Sequence, residues 1–357
     1  MNTTKLILVS ISSVLCLCSC NTKKEIKTFD VHNPYFGSYP QSRVEDETLI
    51  NSLNNLAGNR PTEGMETLGN WKSFNYYADG EIAHFMWHID ISHSDGNKYR
   101  GVYFTSYRPN FTTDPLDIDY SYQDENGYFI NTTYWFKYEP ILWDVIDNNE
   151  ESKEALVFSH NILDSQQFYK TGNPAIEHPV TRNVTGTDPV TWENWNVSGI
   201  YENNYKYSDI RMFSNTIFYN DAFDESERDA VLVKTIDNSP SSTEYKDENA
   251  YACENTQDRV FIPSFGQMTN TAYGFAPTYD AYDPLRRKKS TDYAHCMGTF
   301  VYVDEESPYH ELSTYWLRSP DAYESYYAND VYHPGEILAY FTNFTSLGYM
   351  PASYFKY

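Results

Sequence analysis

Residues 83–107, AHFMWHIDISHSDGNKYRGVYFTSY, decide the fold class. AHFMWHIDISH at 83–93 alternates well enough for a strand, KYRGVYFTSY at 98–107 reads as a second, and SDGN between them carries turn residues. The pair predicts an antiparallel hairpin. Working outward, TTYWFKYEPILWDVID at 132–147 and EALVFSHNILD at 154–164 predict another strand pair around the acidic turn DNNEES. Upstream, DETLINSLNNLAGNRP at 46–61 places Leu49, Ile50, Leu53 and Leu56 at helical spacing behind an Asp46 cap, with Gly58 and Pro61 as the stop.

The remaining chain is less periodic. Residues 171–200, rich in Gly, Pro, Asn and Thr, read as an exposed insertion, and 208–232 as two short helices, with Ile210, Phe213 and Ile217 on one face of the first. DRVFIPSF at 258–265 is strand-like, 266–289 reads as loop with the basic run LRRKK, and STYWLRSP at 313–320 and EILAYF at 336–341 precede the tail TSLGYMPASYFKY. Long irregular connections among short elements argue against a doubly wound sheet and against a barrel. The expected class is α+β, loop-rich, with an antiparallel sheet and short flanking helices.

Fifty acidic against 26 basic residues give a formal charge of −24. Such a balance repels phosphate backbones and anionic lipid surfaces, so no nucleic acid partner is expected. Aromatic residues make up 17% of the chain, with 34 tyrosines, which suits the packing of a loop-rich domain and also contacts to carbohydrate or protein.

The N-terminus, MNTTKLILVSISSVLCLCSC, has a positive Lys5 and an apolar run from Leu6 to Leu17 too short for a permanent span. Leu17-Cys18-Ser19-Cys20 resembles the lipobox of bacterial lipoproteins, in which the cysteine is acylated and becomes the first residue after cleavage. An ordinary cleaved signal and a retained helical anchor are the alternatives. The lipobox reading makes 1–19 a signal peptide and 20–32 a lipidated tether. It places the body outside the cytoplasm, at the cell surface or outer membrane of a bacterium, with the membrane as a partner through the lipid on Cys20.

Cys253 and Cys296 are then the cysteines left in the body, either as one disulfide or as two buried thiols. No CxxC or HExxH pattern supports zinc. His84, His88 and His93, placed on a strand, lie too far apart for joint ligation. Calcium stays open as a cofactor, although no twelve-residue calcium loop is recognisable.

Several blocks together, YFGSYPQSRV, YRGVYFTSYRP, YWFKYEPILWDVI with NILDSQ, and YWLRSP followed by SLGYMPA, resemble a bacterial family known as domain of unknown function 6273, over roughly residues 33–357. Within it, 33–131 forms an N-terminal part and 132–357 the main part. W-L-R-S-P followed by G-x-x-P-A also resembles the formylglycine-generating-enzyme-like branch of the C-type-lectin-like folds, which implies a twisted antiparallel sheet. Two departures from the family pattern stand out: Asp144 and Met350 occupy positions where an arginine is usual. Cys253 and Cys296 do not match the reactive cysteine pair of the formylglycine-generating enzymes, so that chemistry is not carried over.

Arg318 has two readings. One sets Trp316, Arg318, Tyr107 and Arg108 on a ligand groove, where arginine offers a rigid donor fork to a carboxylate or sugar hydroxyls. The other buries Trp316 and Leu317 and pairs Arg318 internally. Asp164, Asp209 and Arg211 read as capping or internal ion-pair residues. No catalytic residue is assigned. The resulting expectation is a surface-displayed, non-catalytic recognition module for a glycan or protein, with an envelope enzyme and a structural envelope protein as alternatives.

Overall fold

The computed structural model describes residues 27–75, 82–108, 122–169, 186–195, 197–246 and 248–357. The expected signal peptide, Cys20 and most of the expected insertion lie outside the described residues.

The N-terminal strands are β1 (Tyr35–Arg43), β2 (Thr67–Leu68), β3 (Trp71–Asn75), β4 (Ile82–Ser92), β5 (Lys98–Phe104), β6 (Thr133–Asn149) and β7 (Glu154–Ser159), with helices α1 (Glu47–Ala57) and α2 (Tyr122–Glu125). All their pairings are antiparallel, and the predicted hairpin is β4–β5, running from Met86 opposite Phe104 to Ser92 opposite Lys98. The long β6 is the spine. Its first half pairs with β5 and β1, and its second half with β7.

Alternation divides the side chains of this sheet between two cores. Trp87, Ile89, Tyr99 and Trp135 point to one face with Leu53 of α1, while Met86, Val102, Phe104 and Phe136 point to the other, where the main core lies. α1 starts because the Asp46 carboxylate accepts from the Leu49 amide at 2.7 Å, and it stops at Gly58, whose φ is +67°. Two indoles hold it down, Trp71 donating to the Ala57 carbonyl at 3.1 Å and Trp135 to the Asn54 side chain at 3.0 Å. The fold reaches back into the segment expected as a tether: Phe29 is buried against Phe36 and Phe355, and Lys27 pairs with Asp224 at 2.9 Å.

The C-terminal half contributes short strands, β8 (Asp164–Ser165), β9 (Gly186–Thr187), β10 (Asn194–Trp195), β11 (Lys234–Ile236), β12 (Thr256–Asp258), β13 (Val260–Phe261), β14 (Lys288–Lys289) and β15 (Leu312–Ser313). Then come β16 (Tyr315–Pro320), β17 (Tyr327–Val331), β18 (Ile337–Phe341), β19 (Gly348–Tyr349) and β20 (Ala352–Lys356). A second sheet has the order β18-β17-β16-β19-β8. Its one parallel contact, Tyr315 with Gly348, explains a glycine in the tail: a Cβ on Gly348 would lie 2.5 Å from Ile162 and 3.1 Å from the Thr314 carbonyl. Beyond Pro351 the tail crosses to the first sheet, where β20 pairs with β7 and β13. The architecture is α+β with mixed sheets and short helices.

The expected pair of helices over 208–232 is instead one interrupted run, α3 (Asp209–Phe213), a π-turn (Ser214–Phe218) and α4 (Tyr219–Ala222), followed by a single 3-10 turn at Arg228–Ala230. Asn215 in the π-turn accounts for the interruption. Its amide donates to the Val260 carbonyl at 2.9 Å and its oxygen accepts from the Arg259 amide at 2.8 Å, so the side chain takes the place of a strand partner for β13.

The region read as loop, with α5 (Phe265–Met268) at its start, is organised around Arg286. This buried guanidinium donates to the carbonyls of Met268, Ala276, Thr278, Ala281 and Gly335. Gly335 is required there, since its φ is +103° and a Cβ would fall 2.2 Å from the Asp283 carbonyl oxygen.

Candidate functional site

A groove of 1020 Å³ runs between residues 235–246 on one side and 264–280 on the other. Arg318 of β16 and Tyr354 of β20 also line it. Local chemistry builds both walls. Pro240–Ser242 form a 3-10 turn after β11, and α5 begins at a capping box in which Ser264 and Gln267 satisfy each other's backbone amides.

Arg318 is buried, and its charge is met by neutral oxygens. Nε donates to Asn238 Oδ1 at 3.1 Å, Nη1 to the Ile262 carbonyl at 2.8 Å and to Gln267 Oε1 at 2.7 Å, and Nη2 to the Asp237 carbonyl at 3.2 Å. These bonds use four of the five N–H groups of a guanidinium, leaving one on Nη2. No carboxylate of a described residue forms a salt bridge with it. Burial pushes its pKa below the ordinary value, although arginine stays charged.

Above this floor the rim is aromatic and hydroxylated. Tyr245 and Tyr279 are 39% and 49% exposed, and Tyr245 meets Tyr323 edge-on at 5.4 Å with their hydroxyls hydrogen-bonded. Two carboxylates of the groove are shifted in opposite directions. Burial, reinforced by Asp321, raises Glu244. Burial also opposes the charge of Asp237, but Ser239, Ser241 and Arg318 outweigh it and hold that carboxyl below its ordinary value. Among the described residues no histidine or cysteine lines the groove. The Ser241 and Ser242 hydroxyls donate to Asp237 and to the Ser239 carbonyl, and Ser264 caps α5, so these serines serve local structure.

Arg318 is thus the one expected groove residue found in the groove. Trp316 is core: its ring packs on Phe168 at 5.8 Å and its indole donates to the Gln166 carbonyl at 2.8 Å. Arg108 is buried too and donates to the carbonyls of Ser165 at 2.8 Å and Met297 at 2.7 Å. Tyr107 packs beside it on Phe104. Trp316 and Arg108 therefore pin successive carbonyls of one segment from inside.

Of the two readings of the body cysteines, the structure has the unpaired one, with Cys253 and Cys296 both free. Cys296 sits in the main core, and burial raises both thiols, that of Cys253 to about 11. Arg211 forms internal ion pairs with Asp258 at 2.6 Å and Asp188 at 2.9 Å. Asp164 accepts from the Tyr39 hydroxyl at 2.7 Å, and its burial raises it to about 6. Asp144 lies between His160 and Lys288 at 2.8 Å and 2.5 Å. These three residues line a neighbouring depression of 500 Å³. Among the described residues no group of three or more histidine, cysteine or acidic side chains could hold a metal ion, and no helix is long and apolar enough to cross a membrane.

Tyr245, Tyr279, Glu244 and Gln267 were not legible as site residues. They sit in segments that read as polar connection or loop, and their one sequence signal is tyrosine among serine, threonine and asparagine.

The sequence profile of one family, described as a domain of unknown function (DUF6273), matches residues 162–354. The matched span takes in YWLRSP, SLGYMPA and all of NILDSQ but its first residue, and it begins well after residue 33, so the blocks of β1, β5 and β6 lie outside it. No curated protein and no solved structure matches the chain.

Proposed function

The chain belongs to the DUF6273 family, and from that premise we propose that it is a surface-displayed lipoprotein, tethered through Cys20, whose body is a non-catalytic recognition module taking a glycan in the groove above Arg318. The observation that carries this reading is a buried arginine with no salt bridge and a spare N–H, set beneath exposed tyrosines in an open, hydroxyl-lined trough. Sugars offer hydroxyl oxygens to a fixed donor and apolar C–H faces to aromatic rings, and a trough lets a chain pass through. A C-type-lectin-like kinship belongs to the same proposal, because such scaffolds present ligands on loops like 235–246 and 264–280.

An array of bacterial and host surface glycans tests it. Tyr245→Ala and Tyr279→Ala, both at exposed positions, are expected to lose glycan affinity roughly tenfold without a change in melting temperature. Cys20→Ser is expected to abolish acyl labelling and release the protein from membranes. Binding to proteins alone, or glycan binding indifferent to both tyrosines, would remove the glycan reading.

The opposite shifts of Glu244 and Asp237 favour a second reading, an envelope hydrolase with an acid and a base in one groove. Turnover of a bound glycan that is lost in Glu244→Gln would put that reading first. Stable self-association with no ligand would favour a structural envelope protein.

A further inference from the structure

We propose that a separate cavity over the second sheet is a binding site for a small primary ammonium ligand, held by Asp330 and Thr314 within a cage of aromatic rings. The cavity measures 270 Å³ and shares no lining residue with the groove. Strand register assembles its floor. Asp330 of β17 lies between Trp316 of β16 and Leu338 of β18, and alternation carries Thr314 and Tyr332 onto the same face one step along. Phe300, Tyr332, Tyr340 and Phe344 provide ring walls.

Two polar atoms in this cavity have no hydrogen-bond partner, Asp330 Oδ1 and Thr314 Oγ1. Asp330 is 2% exposed on a central strand, where an aliphatic residue would cost nothing to bury. Burial alone pushes its carboxyl up to about 8, with no cation nearby to oppose the shift. Among the described residues it is also the one acidic side chain lining the cavity, and no lysine or arginine lines it.

The missing partner is therefore one that brings positive charge and at least two N–H donors, one for each orphan oxygen. Aromatic faces stabilise the same charge through their quadrupoles. A primary ammonium on a short carbon stem meets all three requirements and fits the volume. A quaternary ammonium supplies charge without donors, and an alcohol supplies a donor without charge.

The test is calorimetric titration of the full chain with butylammonium, tetramethylammonium and butan-1-ol. Butylammonium is expected to bind saturably with a Kd of about 1 mM or tighter, and each analogue roughly tenfold more weakly. Asp330→Asn, which keeps the shape of the neutral acid, is expected to lose the butylammonium preference. Tyr340→Ala, at the half-exposed rim, provides a second variant that does not depend on the buried position and is expected to weaken binding severalfold. Absence of saturable binding, equal binding of butan-1-ol, or an undiminished preference in Asp330→Asn would each overturn the assignment. Glycan binding in the groove is read on a different set of residues, so either proposal can fail alone.

Discussion

The sheet of β2 to β6 and the loop-rich region around Arg286 and Arg318 solve the same problem in opposite ways. Both must satisfy the backbone groups they bury. In the sheet, neighbouring strands provide the partners, and the side chains are free to be apolar: Trp71, Trp87, Ile89 and Trp135 fill one face. Where the chain lacks a ladder, buried arginines supply the donors instead. Arg286 reaches five carbonyls, and Arg318 two carbonyls and two side-chain amides. A basic side chain in this protein is therefore often an internal strut, which is why LRRKK behaves unlike a solvated charge run: Arg286 is fully buried and Lys288 nearly so, while Lys289 is exposed.

The sharpest way to break this contrast is Arg286→Met. It removes the donors of five carbonyls, and a loss of about 3–5 kcal/mol is expected in urea denaturation, since orphaned buried polar groups and broken buried charge contacts cost that much. A loss below about 1 kcal/mol would mean that water replaces the guanidinium and that the strut is dispensable.

A second test uses Asp330, a buried carboxyl whose Oδ1 has no hydrogen-bond partner. Its folded pKa, about 8, lies above the unfolded value of about 4, so between those limits the folded state holds a proton that the unfolded chain has released. Stability is then fully present below pH ~4 and falls by about 1.4 kcal/mol per unit as pH rises toward 8. Tyr315 and Tyr332, which sense this carboxyl, are neutral throughout that window. Asp330→Asn is expected to flatten the slope by that amount in denaturation curves at pH 6 and pH 8, and an unchanged slope would show the carboxyl to be hydrated or paired.

The smallest expected effect belongs to the region built on local signals. Asp46→Ala removes the cap of α1 and is expected to cost about 1 kcal/mol, read as a small drop in melting temperature. A much larger loss would show that α1 anchors the tryptophan face of the sheet rather than merely covering it.

These differences track what was legible. Alternation over 83–93 and 98–107 placed the hairpin, and Asp46 with Gly58 bounded α1 to within a residue, because strand periodicity and helix caps are written over a few adjacent residues. Trp316 and Leu317 are core, as one of the two readings of YWLRSP had them. The groove was not legible beyond Arg318. Tyr245, Tyr279 and Gln267 come from segments with no period, and Arg108 reads as a surface ligand contact until the chain it pins is in place.

The α+β class, the antiparallel pairing of the first strands, the helix behind Asp46 and the family blocks NILDSQ, YWLRSP and SLGYMPA can all be read from short stretches of chain. That Arg318 floors a groove, that Asp330 Oδ1 and Thr314 Oγ1 share a cavity without partners, and that Cys253 and Cys296 are free emerges with the packed fold. The reason is physical: pattern and capping act between near neighbours in the chain, whereas burial, charge compensation and cavity shape depend on residues brought together from far along it.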